Sequence, residues 1–357
     1  MEKIKHIEIK NFKSIRHVKI DECRKINVFI GYPNVGKSNI LEALGLFCVE
    51  NDKFFFHDAM RFEETSTVFF NGSISEAAEI KLDEQARIRL KYDGSFLKFE
   101  RHDNRSYIAA ESESKAEKNN QIKYVNRPAI AFNYNTTTKK FEDFRGTWTA
   151  FEAPTRRFLK YDFKKSVDYE RNQSQTLAMP FGENIFDVIS SNDKLRASVS
   201  QLFEFYNMEI LFDSREQKFT ILKRTKQGIF TIPYKLVADT LQRLIFFEAA
   251  VLSNQNSILI FEEPEAHMFP PYIKKLTGEL LSDKTNQYFI ATHSPYVLDE
   301  LILEAGDDLS VYLVGYEDGE TMVRGLSHDE LIEVRQYGID LFFNLESYLE
   351  NGQVHHS

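Results

Sequence analysis

Eight residues, Gly31-Tyr32-Pro33-Asn34-Val35-Gly36-Lys37-Ser38, constrain this chain more than any others. They fit the pattern G-x-x-x-x-G-K-[ST], and their flanks give the pattern its meaning. Before them runs Ile26-Asn27-Val28-Phe29-Ile30, which reads as a buried strand; after them Ile40, Leu41, Leu44 and Phe47 fall on one face of a helix. Strand, glycine-bounded loop and helix in that order imply an α/β fold. Backbone N–H groups of such a loop point inward at phosphate oxygens, and the helix N-terminus adds partial positive charge. Gly31, Tyr32, Pro33, Asn34, Val35, Gly36, Lys37, Ser38 and the following Asn39 are therefore candidate phosphate-binding residues. Lys37 would neutralise β and γ oxygens, and the Ser38 hydroxyl would be a magnesium ligand.

Two later segments suit the same site. Ser257-Ile258-Leu259-Ile260-Phe261 is an apolar strand ending in Glu262-Glu263-Pro264-Glu265, which sets two carboxylates at the carboxyl edge of a parallel sheet, where ligands bind. Glu262 is a candidate metal ligand through water, and Glu263 a candidate general base for an attacking water. Gln287-Tyr288-Phe289-Ile290-Ala291 is a third buried strand, ending in Thr292-His293-Ser294-Pro295. A lone histidine after a strand is usually a satisfied polar residue; its place beside the acid pair makes His293 a candidate to reach the γ-phosphate.

Together the glycine loop, Glu-Glu-Pro-Glu-Ala-His at 262 to 267 and Ala-Thr-His-Ser-Pro at 291 to 295 resemble the ABC-type ATPases of the OLD and RecF group. The resemblance covers residues 1 to 50 and 235 to 300 strongly and the middle weakly. It implies an ABC-type P-loop head that binds ATP and Mg2+ and sandwiches ATP between two heads of a homodimer. A signature loop of one head then completes the site of the other. The segment in that place is Leu236-Val237-Ala238-Asp239-Thr240-Leu241-Gln242-Arg243, ahead of a helix from Thr240 to Leu252. It departs from the family pattern, which has serine and glycines there. Ala238 offers no hydroxyl, Thr240 or backbone N–H groups would have to cap a γ-phosphate, and Asp239 would oppose it unless turned away. Pro33 stands where the family has Asn, and no Q-loop glutamine is evident between residues 50 and 110. OLD nucleases also carry a Toprim domain; the 62 residues after Pro295 leave little room for one. Asp307-Asp308 and Glu317-Asp318-Gly319-Glu320 read as solvated turn residues around the strand Ser310 to Val314.

Elsewhere the chain reads as an ordinary well-packed protein, 42% apolar with 31 Phe and 16 Tyr. Residues 4 to 20 alternate as two paired strands around Asn11-Phe12-Lys13-Ser14, and residues 67 to 109 as an antiparallel sheet with a turn at Asp93-Gly94. A polar loop at 111 to 120 suggests a lobe boundary. Three parts follow: 1–110 with the glycine loop, 111–235 as an inserted second lobe, helical plus a hairpin, and 236–357 as the return to the core with a C-terminal helix from Asp329 to Leu349. Within the insert, Lys194 to Tyr206 is an amphipathic helix, and Met208 to Phe212 with Phe219 to Leu222 is a hairpin. No heptad run is present, which excludes the coiled-coil arms of SMC-type chains.

Cys23 and Cys48 have no metal-ligand spacing, and there is no signal segment or run of about 18 apolar residues, so a cytoplasmic, membrane-free protein is expected. The net charge, 45 − 54 = −9, disfavours a surface that attracts nucleic acid throughout. A local groove is still open: residues 139 to 171 hold nine Lys or Arg against six Asp or Glu among Trp148, Phe151, Phe158, Tyr161 and Phe163. Arg156, Arg157 and Lys160 would grip a DNA backbone while rings stack on bases. The plainer account is a solvated face over an aromatic core. Two functions compete. One is an ATPase engine for DNA repair or defence against foreign DNA, working with a separate nuclease or effector. The other is a nucleotide-gated scaffold or sensor for a protein partner, with weak turnover.

Overall fold

A computed structural model describes residues 3–49, 59–84, 86–103, 130–146, 157–165, 170 and 174–351. The elements in chain order are β1 (Ile7–Phe12), β2 (Ile15–Ile20), β3 (Ile26–Ile30), α1 (Lys37–Gly45), β4 (Ala78–Leu82), β5 (Ala86–Tyr92), β6 (Phe96–Asp103), β7 (Ile130–Asn135), β8 (Lys140–Gly146) and β9 (Arg157–Tyr161). Then come α2 (Ile185–Ser191), α3 (Asp193–Glu204), β10 (Met208–Asp213), β11 (Lys218–Thr225), β12 (Gly228–Pro233), α4 (Asp239–Ser253), β13 (Ser257–Glu262) and α5 (Pro270–Ser282). The chain closes with β14 (Gln287–Ala291), α6 (Pro295–Glu304), β15 (Leu309–Glu317), β16 (Glu320–Gly325), α7 (His328–Tyr337) and α8 (Leu345–Asn351).

The central sheet has the order β16-β15-β3-β14-β13-β9, parallel except for β16 at one edge. Its strands are apolar runs without polar alternation because both faces are covered. Side-chain period two then divides each strand between two cores. Leu259 and Phe261 of β13, Tyr288 and Ile290 of β14, and Val28 and Ile30 of β3 enter one core with α2 to α6. Ile258, Ile260, Phe289, Ala291 and Phe29 enter the other, with Ile40, Leu41 and Leu44 of α1 and an antiparallel sheet. That second sheet has seven strands, β2-β1-β4-β5-β6-β7-β8. A third, β10-β11-β12, packs through Phe212 and Phe219 on Phe186 of α2.

The β1–β2 pair, the Asp93-Gly94 turn, the helix near 194 to 206 and the hairpin after 208 stand where the sequence places them. Some boundaries differ. The antiparallel sheet runs on past residue 110 through β7 and β8, and β9 belongs to the central sheet, so the span 111–235 serves all three sheets. The polar loop 111–120 lies outside the described residues. A single C-terminal helix is also incorrect: Gly338, in the left-handed region at φ 63, ends α7, and α8 starts at Leu345. No helix among the described residues is long and apolar enough to cross a membrane.

Both cysteines are buried thiols outside any disulfide. Burial pushes the Cys23 thiol up to about 12. An unfolded chain loses that proton near pH 9 and the folded one near 12, so the folded state binds more protons in between and stability falls as pH rises through that window. Urea titrations from pH 8.5 to 11 should show wild type losing up to about 1.4 kcal/mol per pH unit more than Cys23→Ala. Parallel slopes would refute this.

Candidate functional site

Strand order brings the three sequence segments together. β3 leads into the glycine loop, its neighbour β14 into Thr292-His293, and the next strand β13 into Glu262-Glu263. All three exits lie at the carboxyl edge of the parallel sheet.

The loop is fixed by close approach. A Cβ on Gly31 would lie 2.2 Å from the Val314 carbonyl oxygen, and one on Gly36 would lie 2.1 Å from Thr321 Oγ1. Gly36, at φ 107, caps α1 and accepts from the Ile40 N–H at 3.1 Å. Thr321 Oγ1 donates to the Val35 carbonyl at 2.8 Å, its N–H donates to the Ser14 carbonyl at 2.8 Å, and Asn39 Nδ2 donates to Ser14 Oγ at 2.6 Å. Tyr32, Pro33 and Asn34 form the exposed crest, and Val35 is buried. Lys37 is only 6% exposed, with Nζ donating to the Gly31 and Tyr32 carbonyls at 2.9 and 2.7 Å. Burial pushes its ammonium down to about 8, while Glu263 and Glu262 pull it up.

Across the loop, the Ser38 hydroxyl donates to Glu262 Oε1. Glu263 is half exposed at φ 44; its N–H donates to the Ala291 carbonyl at 2.8 Å, and its Oε1 lies 3.7 Å from His293 Nε2. Burial, then Lys37, lowers the His293 imidazole pKa, and Glu263 opposes them. Lys37, Ser38, Glu262, Glu263 and His293 thus lie together at the carboxyl edge of the sheet.

The signature-like residues do not join them within one chain. Ala238 caps α4 without a side-chain bond, Asp239 pairs with Lys165 at 3.7 Å, and Thr240 Oγ1 donates to the His267 carbonyl at 2.7 Å. Thr240 is therefore already engaged, on the turn that follows the acids. Within the DNA-gripping reading of 139 to 171 the structure corrects Lys160, Phe158 and Tyr161, whereas Arg157 is half-buried. Lys160, Phe158 and Tyr161 are buried at 4%, 5% and 0% exposure, and Phe163 carries the Arg243 guanidinium over its ring at 4.7 Å. Phe158 and Tyr161 are core rings and do not stack on bases, while Phe163 is partly buried. Trp148, Phe151 and Arg156 lie outside the described residues.

Four charged residues were missed by motif reading. Glu42, one turn beyond Ser38 and 1% exposed, holds Arg61 Nε at 2.7 Å and the Lys13 ammonium. Arg61 Nη2 reaches on to Glu262 Oε1 at 3.4 Å. Asp162, directly after β9, has its carboxyl pKa raised by burial, against the pull of Lys160 at 3.6 Å. An acid on the apolar side of α1 was the one available signal, since a buried carboxylate demands cations from elsewhere.

The architecture is that of an ABC-type ATPase head. It resembles the crystal structure of an SMC head bound to the C-winged helix domain of ScpA, with TM-score 0.50, 14% identity, and coverage of 93% of this chain and all of that one. The chain belongs to the family described as AAA domain, putative AbiEii toxin, Type IV TA system, whose model matches residues 26–299. An ATP/GTP phosphatase of Helicobacter pylori is 23% identical over 346 residues, 84% of this chain and 89% of that protein. Protein ea59 of Escherichia phage lambda is 29% identical over 121 residues, 33% of this chain and 21% of its own length.

Gly36→Ala should destabilise the protein by about 1–3 kcal/mol in urea, from overlap and left-handed backbone strain together. Adding Thr321→Ala removes the nearest atoms and should recover part of that loss beyond its own effect. A strictly additive pair would show that Thr321 does not brace the loop.

Proposed function

We propose that this chain binds ATP with Mg2+ and hydrolyses it to ADP and phosphate. The observation carrying this reading is the Ser38 hydroxyl on Glu262, with Lys37, Glu263 and His293 at the same edge. The cradle suits phosphate because the loop, packed closely on Val314 and Thr321 at Gly31 and Gly36, leads into the N-terminus of α1. Ser38 and Glu262 supply the hard oxygens Mg2+ prefers, and the ion when bound would neutralise phosphate charge. Lys37 turns its ammonium from the loop carbonyls to β and γ oxygens. Glu263 accepts a proton from the attacking water, and a neutral His293 offers an N–H to the γ-phosphate.

Turnover in this reading belongs to a homodimer in which Ala238, Asp239 and Thr240 of one head face the ATP of the other, the arrangement of the OLD and RecF group. The cycle would serve DNA repair or defence against foreign DNA through a separate nuclease or effector, a role that rests on analogy. A second reading, a nucleotide-gated scaffold with weak turnover, is favoured by Thr240 being held by the His267 carbonyl.

Glu263→Gln separates the two. An engine should lose at least about 100-fold in kcat and accumulate as an ATP-bound dimer by light scattering. A scaffold should change less than about threefold and keep its oligomeric state. Lys37→Ala should abolish ATP binding by calorimetry; retained binding would sink both readings.

A further inference from the structure

Three acids stand at the end of β13 and on the turn after it, and the chemistry above uses two. The third, Glu265, is 6% exposed, whereas the Glu263 side chain is half exposed. A buried carboxylate is costly unless held, so its partners are informative. Its Oε1 accepts from the Thr292 hydroxyl and from the His293 backbone N–H at 3.3 Å. Thr292 Oγ1 accepts in turn from the Ser294 N–H at 3.0 Å, and the Thr292 N–H donates to the Phe29 carbonyl of β3 at 3.2 Å. At its other end Glu265 is fixed by its own carbonyl, which accepts from Met268 at 2.8 Å. One carboxylate oxygen thus ties the turn after β13 to the loop after β14, at the residue whose ring faces Glu263.

We propose that Glu265 is a positioning residue that sets the His293 imidazole against Glu263 through Thr292 and the His293 backbone. The role rests on the reading of Glu263 and His293 as the hydrolytic pair. Without the Oε1 acceptor, the Thr292 hydroxyl and the His293 N–H lose their tie to the turn after β13, and the 3.7 Å approach of the ring to Glu263 loses its anchor. Glu265→Gln keeps that acceptor, while Glu265→Ala removes it.

The test uses the full chain labelled with 15N-histidine, free of nucleotide, with the His293 ring signal assigned by its loss in His293→Ala. Glu265→Ala and Thr292→Val should move that signal, and Glu265→Gln should leave it in place. In ATP turnover, Glu265→Ala should lose about tenfold or more in kcat with KM for ATP within about threefold, and Glu265→Gln should stay within about threefold of wild type. A His293 signal unmoved by removal of the acceptor would overturn the proposal, as would Glu265→Gln matching Glu265→Ala with kcat and KM lost together. Should Glu265→Ala fail to fold, Thr292→Val alone carries the same decision. A wild-type protein without turnover would refute the hydrolytic reading, yet the His293 signal would still decide whether Glu265 positions the ring.

Discussion

The site depends on five parallel strands being buried on both faces. Alternate side chains of β3, β13 and β14 fill two separate cores, so these strands can neither slide nor rotate without moving an apolar set out of its layer. The acids and the histidine of the site lie where β13 and β14 leave the sheet, at their carboxyl ends. The clearance is small: β15 lies so close to the loop exit that Gly31 has no room for a methyl group beside Val314. Neighbouring strands therefore determine the shape of the loop as much as its own glycines do.

Charge balance at this edge is set before any ligand arrives. Glu42 is buried between Lys13 and Arg61, and Arg61 also leans on Glu262. Removing one partner of such a buried pair costs more than the pair contributes, because a charge is left without compensation. Lys37 is in the opposite condition, desolvated and hydrogen-bonded to two carbonyls, and its pKa falls despite the nearby Glu263 and Glu262. An incoming polyphosphate would meet a cation that gains by leaving its present partners and an acid, Glu262, whose negative charge is already partly screened by Arg61.

Much of this was legible in the sequence because it depends on short-range order. The apolar run into Gly31, the helix after Ser38 and the two strands ending in Glu262-Glu263 and Thr292-His293 are local patterns, and period and motif suffice for them. What escaped depends on pairing across long separations. Nothing near Lys160 or Tyr161 in the chain says that β9 is zipped beside β13, which makes their charge and rings interior. Nothing near Arg61 points to Glu42 or Glu262, and nothing near Thr321 points to Val35. The helix break at Gly338 was visible in principle, since a lone glycine after Arg335 is a helix stop.

The departures at 238 to 240 acquire a physical sense from the turn they touch. Glu263 and His267 both adopt left-handed backbone, at φ 44 and 61, which residues with a Cβ occupy only when neighbours hold them there. The holding bonds can be named. The Glu263 N–H donates to Ala291, its carbonyl accepts from Ala266 at 3.0 Å and from Arg243 Nη1 at 3.3 Å, and the His267 carbonyl accepts from Thr240. Two of these bonds come from α4, one from the first turn and one from the second. Through these two bonds α4 clamps the turn bearing the proposed base. Of residues 238 to 240 it is Thr240 that supplies a clamp bond, while Ala238 caps α4 without a side-chain bond and Asp239 pairs with Lys165.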